Sequence, residues 1–218
     1  MEKPFKVVYK GGCGEIVEKK SRFIATVEPV KSEEEALSFI ERMRKKYWDA
    51  THNCFAYVVG GRNECARCSD DGEPAQTAGR PMLDVLLGEG VHNTAVVVTR
   101  YFGGTLLGTG GLVRAYSRAV QEGLAASIVL VRSSCAKIGI TSDYNALGKI
   151  QYIAGTMGIH SLDAQYAEHV VTTWLVEAEM KDAFIKKITE ATSGQADIAD
   201  LGLCYASLEG KAVILLEE

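Results

Sequence analysis

NTAVVVTRYF (Asn93–Phe102) runs without a break into GGTLLGTGGLVRAY (Gly103–Tyr116), and this passage decides how the first half of the chain folds. The first segment is rich in β-branched residues and is the strongest strand signal in the chain. From Gly111 to about Ser127, the residues Leu112, Tyr116, Ala119 or Val120, and Gly123-Leu124 recur at helical spacing. Between strand and helix stand Gly103, Gly104, Gly108, Gly110 and Gly111. A helix that starts after such a turn presents unpaired backbone N–H groups and the positive end of its dipole, a natural place for an anion. Arg114 and Arg118, four apart, share one face of that helix, and Arg100 leaves the preceding strand nearby in sequence. Together they predict a grip on phosphate or on a nucleic-acid backbone. The turn lacks the Lys-Ser/Thr ending of a P-loop, and a glycine-rich connection also serves close packing of strand on helix.

Upstream, SDDGEPAQTAGRPM (Ser69–Met82) is equally unlike its surroundings. Asp70, Asp71 and Glu73 crowd its start, and small residues lead on to Arg80-Pro81. Paired carboxylates can do acid–base chemistry or hold Mg²⁺. Asp-Gly and Glu-Pro are also ordinary turn chemistry, with Arg80 and Arg100 as internal partners for the acids. No positioned nucleophile is evident, so a loop ordered by ion pairs is the preferred reading. Ser69, Asp70 and His52 can be drawn as a triad, a drawing that only geometry can support. His52, Cys54, Cys65 and Cys68 offer four zinc ligands, and Cys65 and Cys68 stand at knuckle spacing. The preferred alternative makes Cys54 a small buried hydrophobe and the other two loop thiols. No metal and no cofactor is therefore expected.

Outward from these stretches the pattern is mixed. FKVVYK, GEIVEKK and RFIATVEPV, within residues 5–30, read as a meander of strands with a first turn at Gly11-Gly12. Ser32 and Glu35 form a capping box for a helix with Leu37, Ile40, Met43 and Tyr47 on one face. NCFAYVVG (53–60) reads as a strand, Gly60 to about Gly79 as a long polar loop, and Pro81 as the first turn of a short helix. VRSSC (131–135) reads as a linker. Beyond it come a strand (135–141), a helix (144–157), two strands (159–167 and 169–179), a helix (181–192) and a final strand near 211–217. That βαββαβ order is the ferredoxin-like plan. The fold class is thus α+β in two domains, 1–132 and 133–218.

Length and composition fit this plan. With 218 residues, 47% hydrophobic and 24% charged, the chain suits one large domain or two small ones and has apolar mass for a real core. It holds no run of 18 apolar residues, so no membrane span is expected. Its start lacks an apolar signal-peptide core, so the six cysteines are read as reduced thiols of a cytoplasmic protein. Net charge is −4 but uneven: residues 1–134 carry 18 Lys+Arg against 16 Asp+Glu, and residues 135–218 carry 6 against 12. All ten arginines lie in the first part. Arginine suits bidentate contact with phosphate, so an anion grip belongs there.

SRF (21–23), ATHNCFAY (50–57), SDDGEP (69–74), TAGRPML (77–83) and RYFGGTLLGTGGLVRAY (100–116) resemble the YigZ/IMPACT family, whose signature corresponds to Arg100–Gly108. Ala75-Gln76 departs from its pattern, which has Ser-Gly there. The resemblance implies an N-terminal α/β sandwich like the second domain of a small-subunit ribosomal protein. It implies a C-terminal domain like the last ferredoxin-like domain of elongation factor G. Eukaryotic IMPACT proteins regulate translation by competing for an activator of the general-control kinase. The expectation is a non-enzymatic cytoplasmic regulator that binds RNA, the ribosome or a translation-associated protein. Arg100, Arg114, Arg118, Gly103, Gly104, Gly110 and Gly111 would make the anion contacts. Asp70, Asp71 and Glu73 would order the loop, with His52 and Asn53 lining the same face. Tyr101, Phe102 and Tyr116 are candidate stacking platforms for bases, although aromatics at such positions more often belong to the core. The alternative is an enzyme or sensor that takes a phosphorylated small molecule or nucleotide at the glycine-rich loop, with Mg²⁺ on Asp70 or Asp71.

Overall fold

The computed structural model describes residues 4–61, 64–208 and 213–216. The chain divides into two compact units, Phe5–Leu130 and a second from Val131 onward. In chain order the first holds β1 (Phe5–Lys10), β2 (Cys13–Glu18), β3 (Ser21–Pro29), α1 (Glu33–Lys46), β4 (His52–Val59), β5 (Cys65–Ser69), α2 (Gly79–Glu89), β6 (Val91–His92), β7 (Thr94–Tyr101) and α3 (Thr109–Ala125). The chain then enters β8 (Ile128–Ser142).

Five strands form one antiparallel sheet in the order β2-β3-β7-β4-β5. β7 is its centre because both its faces are covered. Val96 and Val98 pack with α2 and α3, while Ala95 and Val97 pack with α1 on the other side. A strand buried on both faces carries a near-continuous apolar run, here Ala95, Val96, Val97 and Val98. Val30, Ala36, Phe39, Ile40 and Tyr57 complete the smaller core. The larger is built on Phe23, Met82, Leu86, Tyr116 and Val120.

Several local expectations are corrected. β1 is not part of a meander; it pairs in parallel with β6, Lys6 opposite Val91. Gly11 and Gly12 are not a hairpin turn but a crossing: a Cβ on Gly11 would stand 2.1 Å from the Val27 carbonyl oxygen, and one on Gly12 2.3 Å from that of Ala126. α1 starts at its Ser32 cap, whose Oγ accepts from Glu35 N at 3.2 Å, but Glu35 reaches back to Lys31 N. Its buried stripe is Ala36, Phe39 and Ile40, so Leu37 faces out and Tyr47 is the C-cap. The stretch Gly60–Gly79 is not wholly loop, since its middle pairs with β4 as β5.

The second unit adds α4 (Tyr144–Thr156), β9 (His160–Tyr166), β10 (Val170–Glu177), α5 (Lys181–Ala191), β11 (Asp197–Ser207) and β12 (Ile214–Leu216). Its sheet runs β11-β8-β10-β9, all antiparallel, which is the strand order of a ferredoxin-like unit. Ile138, Ile140, Trp174 and Val176 meet Ile150, Phe184 and Ile188 of the two helices. The segment 131–135 is no linker; it lies inside β8, where Ser133 and Ser134 pair opposite Ala206 and Tyr205. The last strand of the plan is β11 rather than a strand near 211–217. A register shift between Asp200 and Leu203, with Gly202 at φ 101, breaks its apolar alternation and hides it in the sequence. Within 211–217, residues 214–216 form β12 beside β11, and 211, 212 and 217 lie outside the described residues.

Candidate functional site

The register of the first sheet gathers the two unusual stretches at one end. Arg22 lies opposite Tyr101, His52 opposite Arg100, and Phe55 opposite Ser69. The end of β7, the start of β4, the end of β5 and the β2–β3 turn therefore share this edge. The glycine-rich turn and the start of α3 follow directly from it.

At the centre lies a buried ion pair. Glu73 Oε1 accepts from Arg100 Nη1 at 2.5 Å and from the Tyr116 hydroxyl at 2.8 Å. Arg100 is 5% exposed and Glu73 8%. The Arg100 guanidinium also stands 5.4 Å from the Phe23 ring centroid and 5.5 Å from that of Phe102. Its Nε is buried with no partner among the described residues. His52 Nε2 comes to 3.9 Å from Glu73 Oε2, while its Nδ1 meets the Asp71 carbonyl oxygen at 2.8 Å. Cys54 Sγ donates towards the Asp70 carbonyl and the Tyr116 hydroxyl. Burial pushes the Tyr116 phenol and the Cys54 thiol far up, so both stay neutral and act as donors. Arg100 thus spends its charge internally and is not an outward anion contact.

The other two acids are also committed. Asp70 Oδ1 accepts from Ala78 N at 2.9 Å and Gly79 N at 2.8 Å, and Oδ2 from Gln76 N at 2.8 Å. Those donors belong to the approach and first turn of α2, whose N-cap residue Ala78 has no side-chain cap. Burial alone would raise the Asp70 carboxyl, but these N–H groups outweigh it and hold it below its ordinary range. Asp71 Oδ2 accepts from Asn53 N at 2.7 Å, and Oδ1 pairs with Arg44 at 3.3 Å. Asn53 Oδ1 accepts in turn from the Thr99 hydroxyl. These contacts commit both aspartates to ordering the loop. Loop ordering thus uses Arg100 and Arg44; Arg80 turns outward to Asp84 at 2.8 Å. Gln76 sits at φ 63, so the family pattern's glycine at this place matches the backbone better than the residue present.

Two further drawings fail on geometry. Ser69 Oγ accepts from Asp71 N, and His52 bonds to the Asp71 backbone, so no serine–histidine pair exists. The four candidate zinc ligands do not converge, since Cys54 is buried in the core and Cys65 and Cys68, three residues apart on β5, fall on opposite faces of the strand. Among the described residues no group of three His, Cys, Asp or Glu could hold a metal.

An open cleft of about 250 Å³ lies between β2 and α3, lined by Ile16, Glu18, Lys19, Leu107, Gly111, Arg114, Ala115 and Arg118. Gly108, the N-cap of α3, has φ 74 and no side-chain cap, so the N–H groups of Thr109, Gly110 and Gly111 are left open by helix geometry. A Cβ on Gly110 would lie 3.7 Å from Arg114 Nη1, which places that guanidinium over the open turn. Arg114, Arg118 and Lys19 have no ion-pair partner among the described residues. Gly103 is fixed differently: its N–H donates to Ser21 Oγ, and a Cβ there would meet the Lys20 carbonyl carbon at 2.1 Å. Gly104 (φ 83) is needed for its conformation, with open space around it. Of the aromatics, Tyr116 is fully buried and cannot stack on a base, Tyr101 donates to Asp49, and Phe102 is partly exposed.

Lys19 was not legible as a site residue. Lys19 and Lys20 form the β2–β3 turn with φ 46 and 68, a type I′ geometry that ordinarily selects Asn or Gly. A Lys-Lys pair carries no such signal, although two left-handed lysines beside an arginine-lined cleft are an outlier consistent with a binding role.

Comparison with known proteins agrees with this architecture. Residues 19–124 match the Impact N-terminal domain, and residues 140–195 match a domain of unknown function, DUF1949. The chain is 42% identical to IMPACT family member YvyE of Bacillus subtilis over 198 residues, 91% of each protein. It is 35% identical to IMPACT family member YigZ of Escherichia coli, over 83% of this chain and 89% of that one. Protein IMPACT of Mus musculus is 37% identical over 98 residues, 43% of this chain and 30% of that protein. A solved crystal structure of a hypothetical protein aligns with TM-score 0.59 at 32% identity, covering 93% of this chain and 98% of that one. The chain belongs to the IMPACT family.

Proposed function

We propose that this protein is a cytoplasmic, non-enzymatic regulator of translation that binds RNA phosphates, free or on the ribosome, through the cleft between β2 and α3. One observation carries the reading: Arg114, Arg118 and Lys19 line that cleft without ion-pair partners among the described residues, beside the open N–H groups at the start of α3. Cations left unpaired around a helix N-terminus favour a phosphate. The same groups suit a phosphorylated small molecule, but two features weigh against it. The cleft, about 250 Å³, is smaller than the roughly 300–1,000 Å³ of sites that enclose such ligands. Asp70 and Asp71, the acids that would hold Mg²⁺, are committed to backbone N–H groups and Arg44. No helix among the described residues is long and apolar enough to cross a membrane.

The test is sedimentation of the protein with ribosomes and with free RNA at low and moderate salt, beside an Arg114→Ala/Arg118→Ala variant. Co-sedimentation that weakens with salt and is lost in the variant supports the reading. A rise in melting temperature with Mg-nucleotide, with no RNA binding at low salt, would move the cleft to the small-molecule reading.

A further inference from the structure

In the C-terminal unit, β8 and β11 place Cys135 and Cys204 directly opposite each other. No other cysteine has this relation. Cys13 lies opposite Thr26, Cys54 opposite Val98, Cys65 opposite Val59 and Cys68 opposite Ala56. Cys65 and Cys68 cannot bridge each other, because three residues along a strand span about 10 Å and end on opposite faces. Directly opposed residues of an antiparallel pair have Cα atoms about 4.5–5.5 Å apart and side chains on one face. A disulfide needs a Cα separation of about 4.4–6.8 Å, so the strand register already supplies the spacing. Both thiols are free in this structure. Cys135 is fully buried and Cys204 partly exposed, on the sheet face that carries Leu175 and Ala206.

We propose that Cys135 and Cys204 form a reversible cross-strand disulfide when the protein meets a peroxide. Cys204, the more accessible, reacts first. Its thiolate attacks one oxygen of hydrogen peroxide, an S–O bond forms, the O–O bond breaks, and hydroxide leaves and takes up the displaced proton as water. The Cys135 sulfur then attacks the Cys204 sulfur. An S–S bond forms, the S–O bond breaks, and the departing hydroxide takes the Cys135 proton. Two thiols and one peroxide become one disulfide and two waters, the sulfurs losing the two electrons that the peroxide gains. A thiol such as dithiothreitol reverses the step by exchange.

The bond closes residues 135–204 into a loop that contains α4, β9, β10 and α5, nearly the whole ferredoxin-like unit. It also pins β11 to β8 on the C-terminal side of the register shift between Asp200 and Leu203. A cross-link over so long a loop restricts the unfolded chain and raises stability. Burial raises both thiols, that of Cys135 to about 12, so the pair reacts slowly and neither is a general nucleophile.

The test is treatment of the full chain with hydrogen peroxide, alkylation of the remaining thiols in denaturant, and mass analysis of peptides with and without reductant. The expected result is one intramolecular link between the peptides that hold Cys135 and Cys204, a melting temperature of the C-terminal unit at least about 5 °C above that of the reduced protein, and reversal by dithiothreitol. Cys204→Ser should abolish the link and the shift while leaving the reduced protein's melting temperature nearly unchanged. Cys135→Ser provides the second check. Six alkylatable thiols after peroxide treatment, a link through Cys13, Cys65 or Cys68 instead, or cysteines oxidised only to sulfinic acid would overturn the proposal.

Discussion

Arg100 and Arg114 belong to the same glycine-rich stretch, yet they are put to opposite uses. Arg100 is buried against Glu73 and two aromatic rings, while Arg114 stands over an open helix turn with no ion-pair partner among the described residues. The difference comes from secondary structure. Arg100 is a strand residue whose side chain points to the face where α3 closes the core, so Tyr116 and Glu73 enclose it. Arg114 lies one turn into α3 on its outer side. A buried charge must be matched within the fold, whereas an exposed one can wait for a ligand. The inner pair therefore shapes the site, and the outer cations are the ones available to a partner.

The sharpest way to break this contrast is to unpair the inner charge. Glu73→Ala leaves the Arg100 guanidinium buried without its carboxylate and is expected to cost about 3–5 kcal/mol in chemical denaturation. The double substitution Glu73→Leu/Arg100→Met should cost less than Glu73→Ala alone; a larger cost would contradict the account of the pair. Next comes Gly103→Ala, whose new methyl meets the Lys20 backbone. It should destabilise by about 1–3 kcal/mol and displace the β2–β3 turn, read as shifted amide resonances at Lys19 and Lys20.

Asp70→Asn should cost about 0.5–2 kcal/mol, because Asp70 serves α2 as a capping group. The pH dependence has a definite sign. Folding depresses the Asp70 carboxyl, so its contribution is present above the unfolded value of about 3.9 and is lost as pH falls through the lower folded value. Stability measured from pH 5 down to 2 should fall less steeply in Asp70→Asn than in the parent. Equal slopes would remove Asp70 from that role. The smallest effect on stability belongs to Arg114→Ala/Arg118→Ala, within about 0.5 kcal/mol of the parent, as for exposed residues without special contacts.

Much of the fold was legible because its signals are local. The β-branched run of β7, the Ser32 cap of α1 and the helical spacing of Leu112, Tyr116 and Val120 each act within a few residues. What stayed hidden depends on tertiary partners. β1 leaves the expected meander because Gly11 and Gly12 thread between the Val27 and Ala126 backbones, which spacing does not reveal. β11 escaped because its register shift breaks the alternation that marks a strand. At the site, the residue types were visible but their assignment was not. Nothing in the order of residues says that Glu73 takes Arg100, that Asp71 takes Arg44, or that Lys19 joins Arg114 and Arg118 across the cleft.

The most direct test of the central claim is the salt dependence of binding to a short single-stranded RNA, measured by fluorescence anisotropy for the parent and for Arg114→Ala/Arg118→Ala. The account predicts an affinity that falls as salt rises, and a slope of log affinity against log salt that is shallower by about 1.4 in the variant, two phosphate contacts at roughly 0.7 each. A parent that does not bind at low salt, or a variant with the parent's affinity and slope, would contradict it.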